Sequence, residues 1–301
     1  MTPEGRARLK ALIAVSAWGG SFPAIKIALA EISFTTLIWL RFGSGFLTLL
    51  LLLFIRRRAG FLPLKEAVIF AGLGFLGLFF HNSIQTYALK TVSAGLSGLI
   101  IAANPIGIAA AGVLILGERL DRKTVAGILL AALGVLVILA KGDPGTFLSM
   151  GFSFGELIMV FSVFTWALFT VFSRKALQKT PPDVGMTYAI GFGWLFAAFP
   201  FFGLGGTAEL SNISASTWVN ILFLGVVCSG LAYLLWYDAL LALPVSEAGV
   251  FMYVNPVVAV VLSAAFLGEA VSLSMLAGGV LVFAGVWFVN ARQKRPAKAV
   301  D

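Results

Sequence analysis

The sequence predicts an all-α integral membrane protein whose ten transmembrane helices form two inverted five-helix repeats. Three observations predict it. Of 301 residues, 60% are hydrophobic and only 11% charged, whereas a soluble domain carries about a quarter charged residues; the mean hydropathy is +1.01. Short polar punctuation divides the chain into stretches that each approach the roughly 20 apolar residues needed to cross a hydrocarbon core of about 30 Å. A set of short motifs also recurs at a constant offset of 151 residues, as from Asn104 to Asn255.

The first helix, 9–30, follows Arg6 and Arg8; it is too long for a signal-peptide core and lacks a small-x-small cleavage site. The second, 34–55, stops at Arg56, Arg57 and Arg58. The third, 66–89, lies between Lys65 and Lys90 and contains the polar residues His81, Asn82 and Gln85. The fourth, 93–116, closes at Gly117-Glu118, and the fifth, 122–140, runs to Lys141. The sixth, 153–175, ends on Arg174 and Lys175, and the seventh, 184–203, opens after Pro181-Pro182. A polar run sets off the eighth, 214–242. Pro244 separates it from the ninth, 246–267, and Gly268-Glu269 separates that from the tenth, 271–290.

With the N-terminus in the cytoplasm, 17 of the 21 Lys and Arg fall on that face, Lys90 and Lys141 on the other, and Lys26 and Arg41 inside helix ends. A bias of this size predicts that both termini are cytoplasmic. The same distribution disposes of nucleic acid as a partner: the net charge of +8 is carried by short runs between apolar stretches rather than by one helix face. Cys228 is the single cysteine, which leaves no intrachain disulfide or thiolate metal cluster.

The repeated motifs are Asn104-Pro105, Leu116-Gly117-Glu118, Ala126-Gly127 and Gly134-Val135, answered by Asn255-Pro256, Leu267-Gly268-Glu269, Ala277-Gly278 and Gly285-Val286. A weaker match aligns the segment from Trp18 with that from Trp166. Two units are expected, 1–143 and 144–301. Each holds an odd number of helices, so the second enters the membrane from the opposite side.

Taken as a set, with the lead-ins Tyr87-Ala88-Leu89-Lys90 and Tyr237-Asp238-Ala239-Leu240, these motifs resemble the EamA-type units of the drug/metabolite transporter superfamily over essentially the whole chain. Overall the sequence is most similar to YddG-type exporters of aromatic and other amino acids. The resemblance implies a central cavity walled by helices of both halves, export by alternating access, and residence in a bacterial inner membrane.

Several residues are candidates for that cavity. Asn104 and Asn255 precede Pro105 and Pro256 near the middle of the fourth and ninth helices, where a proline frees a backbone carbonyl and serves as a kink or hinge; the two amides either answer freed backbone groups or reach a ligand. His81, Asn82 and Gln85 are costly at that depth unless they face water or protein, so they line the cavity or bond a neighbouring helix. Trp18 and Trp166 stand at mid-helix, as an aromatic wall or as packing, and the same weighing applies to Tyr233 and Tyr253. Ser21 and Thr165 face either a ligand or their own backbone. Lys26 and Arg41 either snorkel to headgroups or attract a substrate carboxylate. Glu118 and Glu269 are expected to cap helix starts.

Absent motifs narrow the chemistry. One histidine excludes H-E-x-x-H, and neither a Walker loop nor a G-x-S-x-G elbow occurs. No catalytic residue, metal or cofactor is expected. The expected function is a secondary transporter that exports small metabolites, foremost amino acids, with protons as the candidate coupling ion and lipid as the surroundings. The rival readings are an exporter of other metabolites or cationic drugs, and a channel or lipid-handling protein.

Overall fold

The structure, a computed structural model, describes residues 2–58, 60–92, 100–139, 153–267 and 273–290. Lys141, Gly268, Glu269 and the basic run Arg292, Lys294, Arg295 and Lys298 lie outside these. Among the described residues every regular element is helical: α1 (Pro3–Leu29), α2 (Phe34–Ile55), α3 (Leu64–Ala88), α4 (Asn104–Leu116), α5 (Arg122–Leu139), α6 (Phe154–Ala176), α7 (Pro182–Gly203), α8 (Ala215–Ala242), α9 and α10 (Leu273–Asn290). Helix α9 is assembled from Val245–Val250, a 3₁₀ turn Phe251–Tyr253 and Val254–Leu267. Among the described residues six helices, α1, α2, α3, α6, α7 and α8, are long and apolar enough to cross a membrane; α4 and parts of α9 and α10 are shorter apolar helices.

Local chemistry sets the helix ends. Thr2 accepts from the Gly5 amide and Pro3 occupies the first turn, so α1 starts well before the apolar stretch does. Ser153 and Glu156 form a reciprocal capping box at the start of α6. Gly117, with φ of 66°, ends α4 in the left-handed region that favours glycine. Caps also cross between distant segments: Glu31 accepts from the Ser214 amide and hydroxyl at 2.9 and 2.7 Å, while Glu209 accepts from the Ser33 amide at 2.9 Å.

Two helices depart from α geometry in their middles. Gly74–Phe80 in α3 and Phe223–Leu231 in α8 are π-helical, a widened turn that often marks functional sites. The expected kinks also take a particular form. Pro105 lies in the first turn of α4, and Pro256 lies two residues into Val254–Leu267, just after a 3₁₀ turn. Lacking an N–H, proline sits where a helix begins at no cost in hydrogen bonds, so each Asn-Pro starts a helical segment and the interruption precedes it.

The repeated glycines have a packing role. Helix α5 packs chiefly against α10. A Cβ on Gly134 would stand 2.6 Å from the Gly278 carbonyl oxygen, and one on Gly285 would stand 2.7 Å from the Gly127 carbonyl oxygen. The four glycines of the two A-G…G-V motifs therefore meet each other across one seam, the small-residue contact that lets membrane helices approach closely. The remaining helices surround a central crevice, with α2 and α7 packed on its flank.

Candidate functional site

The crevice is a narrow cleft with a cavity volume of about 50 Å³. From α1 come Trp18, Ser21 and Phe22; from α2, Arg41; from α3, His81, Asn82 and Gln85. Ile101 and Asn104 of the α4 region, Trp166 of α6, Tyr233 of α8, and Met252 and Asn255 of α9 complete it. Nine of the candidates drawn from the sequence meet here: Trp18, Ser21, His81, Asn82, Gln85, Asn104, Trp166, Tyr233 and Asn255. Two stand outside the lining. Thr165 lies behind His81, sharing a 2.8 Å hydrogen bond with its Nδ1 and donating to the Ser162 carbonyl at 2.9 Å. Tyr253 is wholly buried in the 3₁₀ turn, and among the described residues its hydroxyl has no hydrogen-bond partner.

The π segments shape this wall directly. His81 and Asn82 follow the one in α3, and Tyr233 follows the one in α8. Each segment offers a carbonyl to a crevice side chain: Asn82 Nδ2 donates to Gly77 at 2.8 Å, and Trp18 Nε1 donates to Cys228 at 2.8 Å. The Trp18 ring then meets Trp166 edge-on, with centroids 5.4 Å apart at 89°, and Tyr233 at 5.2 Å. Edge-to-face contacts of this kind fix ring positions, which makes the aromatic wall a rigid surface.

For Arg41 the sequence left two readings open, headgroup snorkelling or attraction of a substrate carboxylate, and the structure removes the first. Although it lies only two turns into α2, where a cation could snorkel to headgroups, it is 5% exposed and faces the crevice. Its Nε donates to Ser229 Oγ at 2.7 Å. Among the described residues the ion pairs join Lys10 to Asp238, Arg56 and Arg58 to Asp183, and Arg174 to Glu118; none involves Arg41, and no carboxylate lines the crevice. A signal was present in the sequence: Gly43 and Gly45 flank Ser44 just after Arg41. A Cβ on Gly43 would stand 2.8 Å from Trp194 and one on Gly45 2.9 Å from Ser229, so this part of α2 is pressed into protein. Lys26, by contrast, is exposed.

Below the crevice, Glu118 closes one end of the structure. Its carboxylate accepts from the amides of Val245 and Ser246 at 2.8 and 3.2 Å and from Arg174 Nη1 at 2.5 Å. It thus caps α9, a helix distant in sequence, rather than α5, which follows it. Burial alone would raise its pKa, but these donors outweigh burial and hold it below the usual carboxylate range.

The sequence pattern of the EamA-like transporter family matches residues 6–140 and again 153–291. The chain belongs to this family. An uncharacterized transporter of Archaeoglobus fulgidus is 30% identical over 276 residues, covering 92% of this chain and 94% of that protein. A Salmonella typhimurium protein described as a probable amino-acid metabolite efflux pump is 29% identical over 286 residues, covering 92% of each chain. A solved crystal structure shares the fold, with a TM-score of 0.74 over 95% of this chain and 98% of its own at 22% identity. The chain is therefore a multi-pass membrane protein, an EamA-like transporter with the crevice at its centre.

Proposed function

We propose that this EamA-like transporter is a secondary carrier that exports amino acids, aromatic ones included, across a bacterial inner membrane by alternating access. One observation carries the reading: a buried guanidinium, Arg41, faces a crevice walled by Trp18, Trp166 and Tyr233 that contains no acidic side chain. An arginine fork matches a carboxylate, and the edge-packed rings suit an apolar or aromatic side chain. A cationic drug would meet a positive charge with nothing to offset it, so the drug reading is disfavoured.

The proposal carries the architecture expected from the sequence. The chain crosses the membrane ten times as two inverted units, 1–143 and 144–301, with both termini cytoplasmic, and bends where Asn104-Pro105 and Asn255-Pro256 restart their helices. The double match to the family pattern supports two units, and the 17 basic residues on one face support the orientation. On this reading Glu118, Arg174 and Lys10 mark the cytoplasmic end. No catalytic step is assigned to any residue.

The test is transport by purified protein in liposomes, using labelled amino acids with and without an imposed proton gradient. Saturable flux with cross-competition among amino acids is expected, and the gradient reports proton coupling. Non-saturating flux would indicate a channel instead, and no amino-acid flux from folded protein would shift the assignment to other anionic metabolites.

A further inference from the structure

Away from the crevice, the seam between α3 and α6 changes character along its length. At mid-height it is sealed: His81 meets Thr165 at 2.8 Å, and Gly77 lies so close to Phe169 that an added Cβ would stand 2.1 Å from the ring. Toward the start of α3 and the end of α6 the two helices part. The groove between them has a volume of about 440 Å³ and is walled by Ile69, Phe70, Leu73, Leu76 and Phe172. Gly72 borders it and opens it further, since no atom lies within 4 Å of where its Cβ would stand. Lys175 and Lys179 stand at its mouth, both exposed. Among the described residues neither forms an ion pair. The one carboxylate there, Glu66, accepts a hydrogen bond from the Thr180 hydroxyl at 3.1 Å.

An apolar trough with two ammonium groups at its interfacial mouth matches a molecule with a hydrocarbon tail and an anionic head. The geometry points to a binding site for one anionic phospholipid of the cytoplasmic leaflet. An acyl chain lies along Gly72, Leu73 and Leu76, and the phosphodiester sits between Lys175 and Lys179. A choline headgroup would bring its own cation against the lysines, so the site prefers a net negative lipid. The position has a consequence for the carrier: α3 bears His81, Asn82 and Gln85, and α6 bears Trp166. A lipid wedged below their seal therefore sets how far these two walls separate.

Native mass spectrometry of the full-length protein tests this, by titration with phosphatidylglycerol or with phosphatidylcholine of the same chains. One phosphatidylglycerol should bind in preference to phosphatidylcholine. The variant carrying Lys175→Gln and Lys179→Gln should bind it about thirtyfold more weakly, which corresponds to about 2 kcal/mol, about 1 for each basic side chain near an anionic surface. The pair Arg122→Gln and Lys123→Gln, basic residues elsewhere on the same face, should leave it unchanged. Gly72→Leu fills the groove and keeps both lysines, so it must also lower binding; it tests the site even if the lysine variant fails to fold. Equal binding of the two lipids would overturn the proposal and make the groove a generic hydrocarbon surface or a port for apolar substrates. An equal loss in the control pair would overturn it in favour of diffuse attraction to a basic face. Competition by glycerol phosphate would overturn it in favour of a site for free phosphate.

Discussion

Replacing Arg41 with methionine should leave stability nearly unchanged and, on the proposed function, make the protein less able to transport. Arg41 is 5% exposed, holds one hydrogen bond to Ser229 at 2.7 Å and has no carboxylate against it. A charge buried without a counter-ion costs several kcal/mol, and replacing such ions with apolar groups of similar volume stabilises folds by about 1–4 kcal/mol. The lost hydrogen bond to a charged group takes back about 1.5–3 kcal/mol. Taken mid-range the two nearly cancel, so the unfolding temperature in detergent should stay close to that of wild type. Transport should fall: truncating one partner of a buried charge pair costs about 2–5 kcal/mol, so apparent affinity for a carboxylate substrate should fall roughly thirtyfold to several thousandfold. Arg41→Lys keeps the charge but loses the fork, and should fall between. A methionine variant that unfolds well below wild type would show that Arg41 is a structural strut. One that transports amino acids with unchanged KM would remove the carboxylate from the site.

Three further outcomes follow from the packing and the caps. Gly134→Leu puts a side chain against the Gly278 carbonyl and the Val282 amide, backbone that cannot turn aside, and should destabilise by about 3 kcal/mol; Gly203→Ala, with nothing within 4 Å, is the control in the same thermal assay. Glu118→Gln weakens the cap on α9 and the Arg174 pair and should cost about 1–2 kcal/mol at neutral pH. Because Glu118 titrates below the unfolded value of 4.5, its contribution is present above that pH and lost as pH falls through the lower folded value, so acid unfolding curves of wild type and Glu118→Gln should converge at low pH. Thr165→Val removes one of the hydrogen bonds of His81, the other being with the Ser162 backbone, and should cost about 1 kcal/mol of stability, with a rise in substrate KM from a looser His81 and Trp166; unchanged KM would leave His81 out of substrate contact.

Hydropathy and the motif offset made the apolar helices readable, because lipid forces every crossing segment to hide its backbone in hydrogen bonds. Helix ends were less readable: hydropathy marks where lipid begins, whereas Thr2 and Pro3 mark where the helix begins. The crevice was legible wherever polar or large aromatic residues sat at mid-helix, as with His81, Asn82 and Trp166. For Arg41 the sequence could not choose between headgroups and the crevice, because its depth is set by how α2 packs on the π segment of α8, a tertiary fact that hydropathy does not carry. Tyr253 was assigned to the crevice because its residue type fits one, but the 3₁₀ turn buries it away from the lining. The π segments themselves leave no periodic trace, since one extra residue in a turn looks the same in composition.

The glycine contacts between α5 and α10 limit where motion can occur. Backbones that touch through four glycines leave no side-chain layer to shear, and neither helix contributes a residue to the crevice. This pair behaves as a fixed post, and any change of shape has to be taken up by the helices that line the crevice. Spin labels placed across α5 and α10 should therefore report one distance in every state, an internal ruler against which movement between α3 and α6 can be measured.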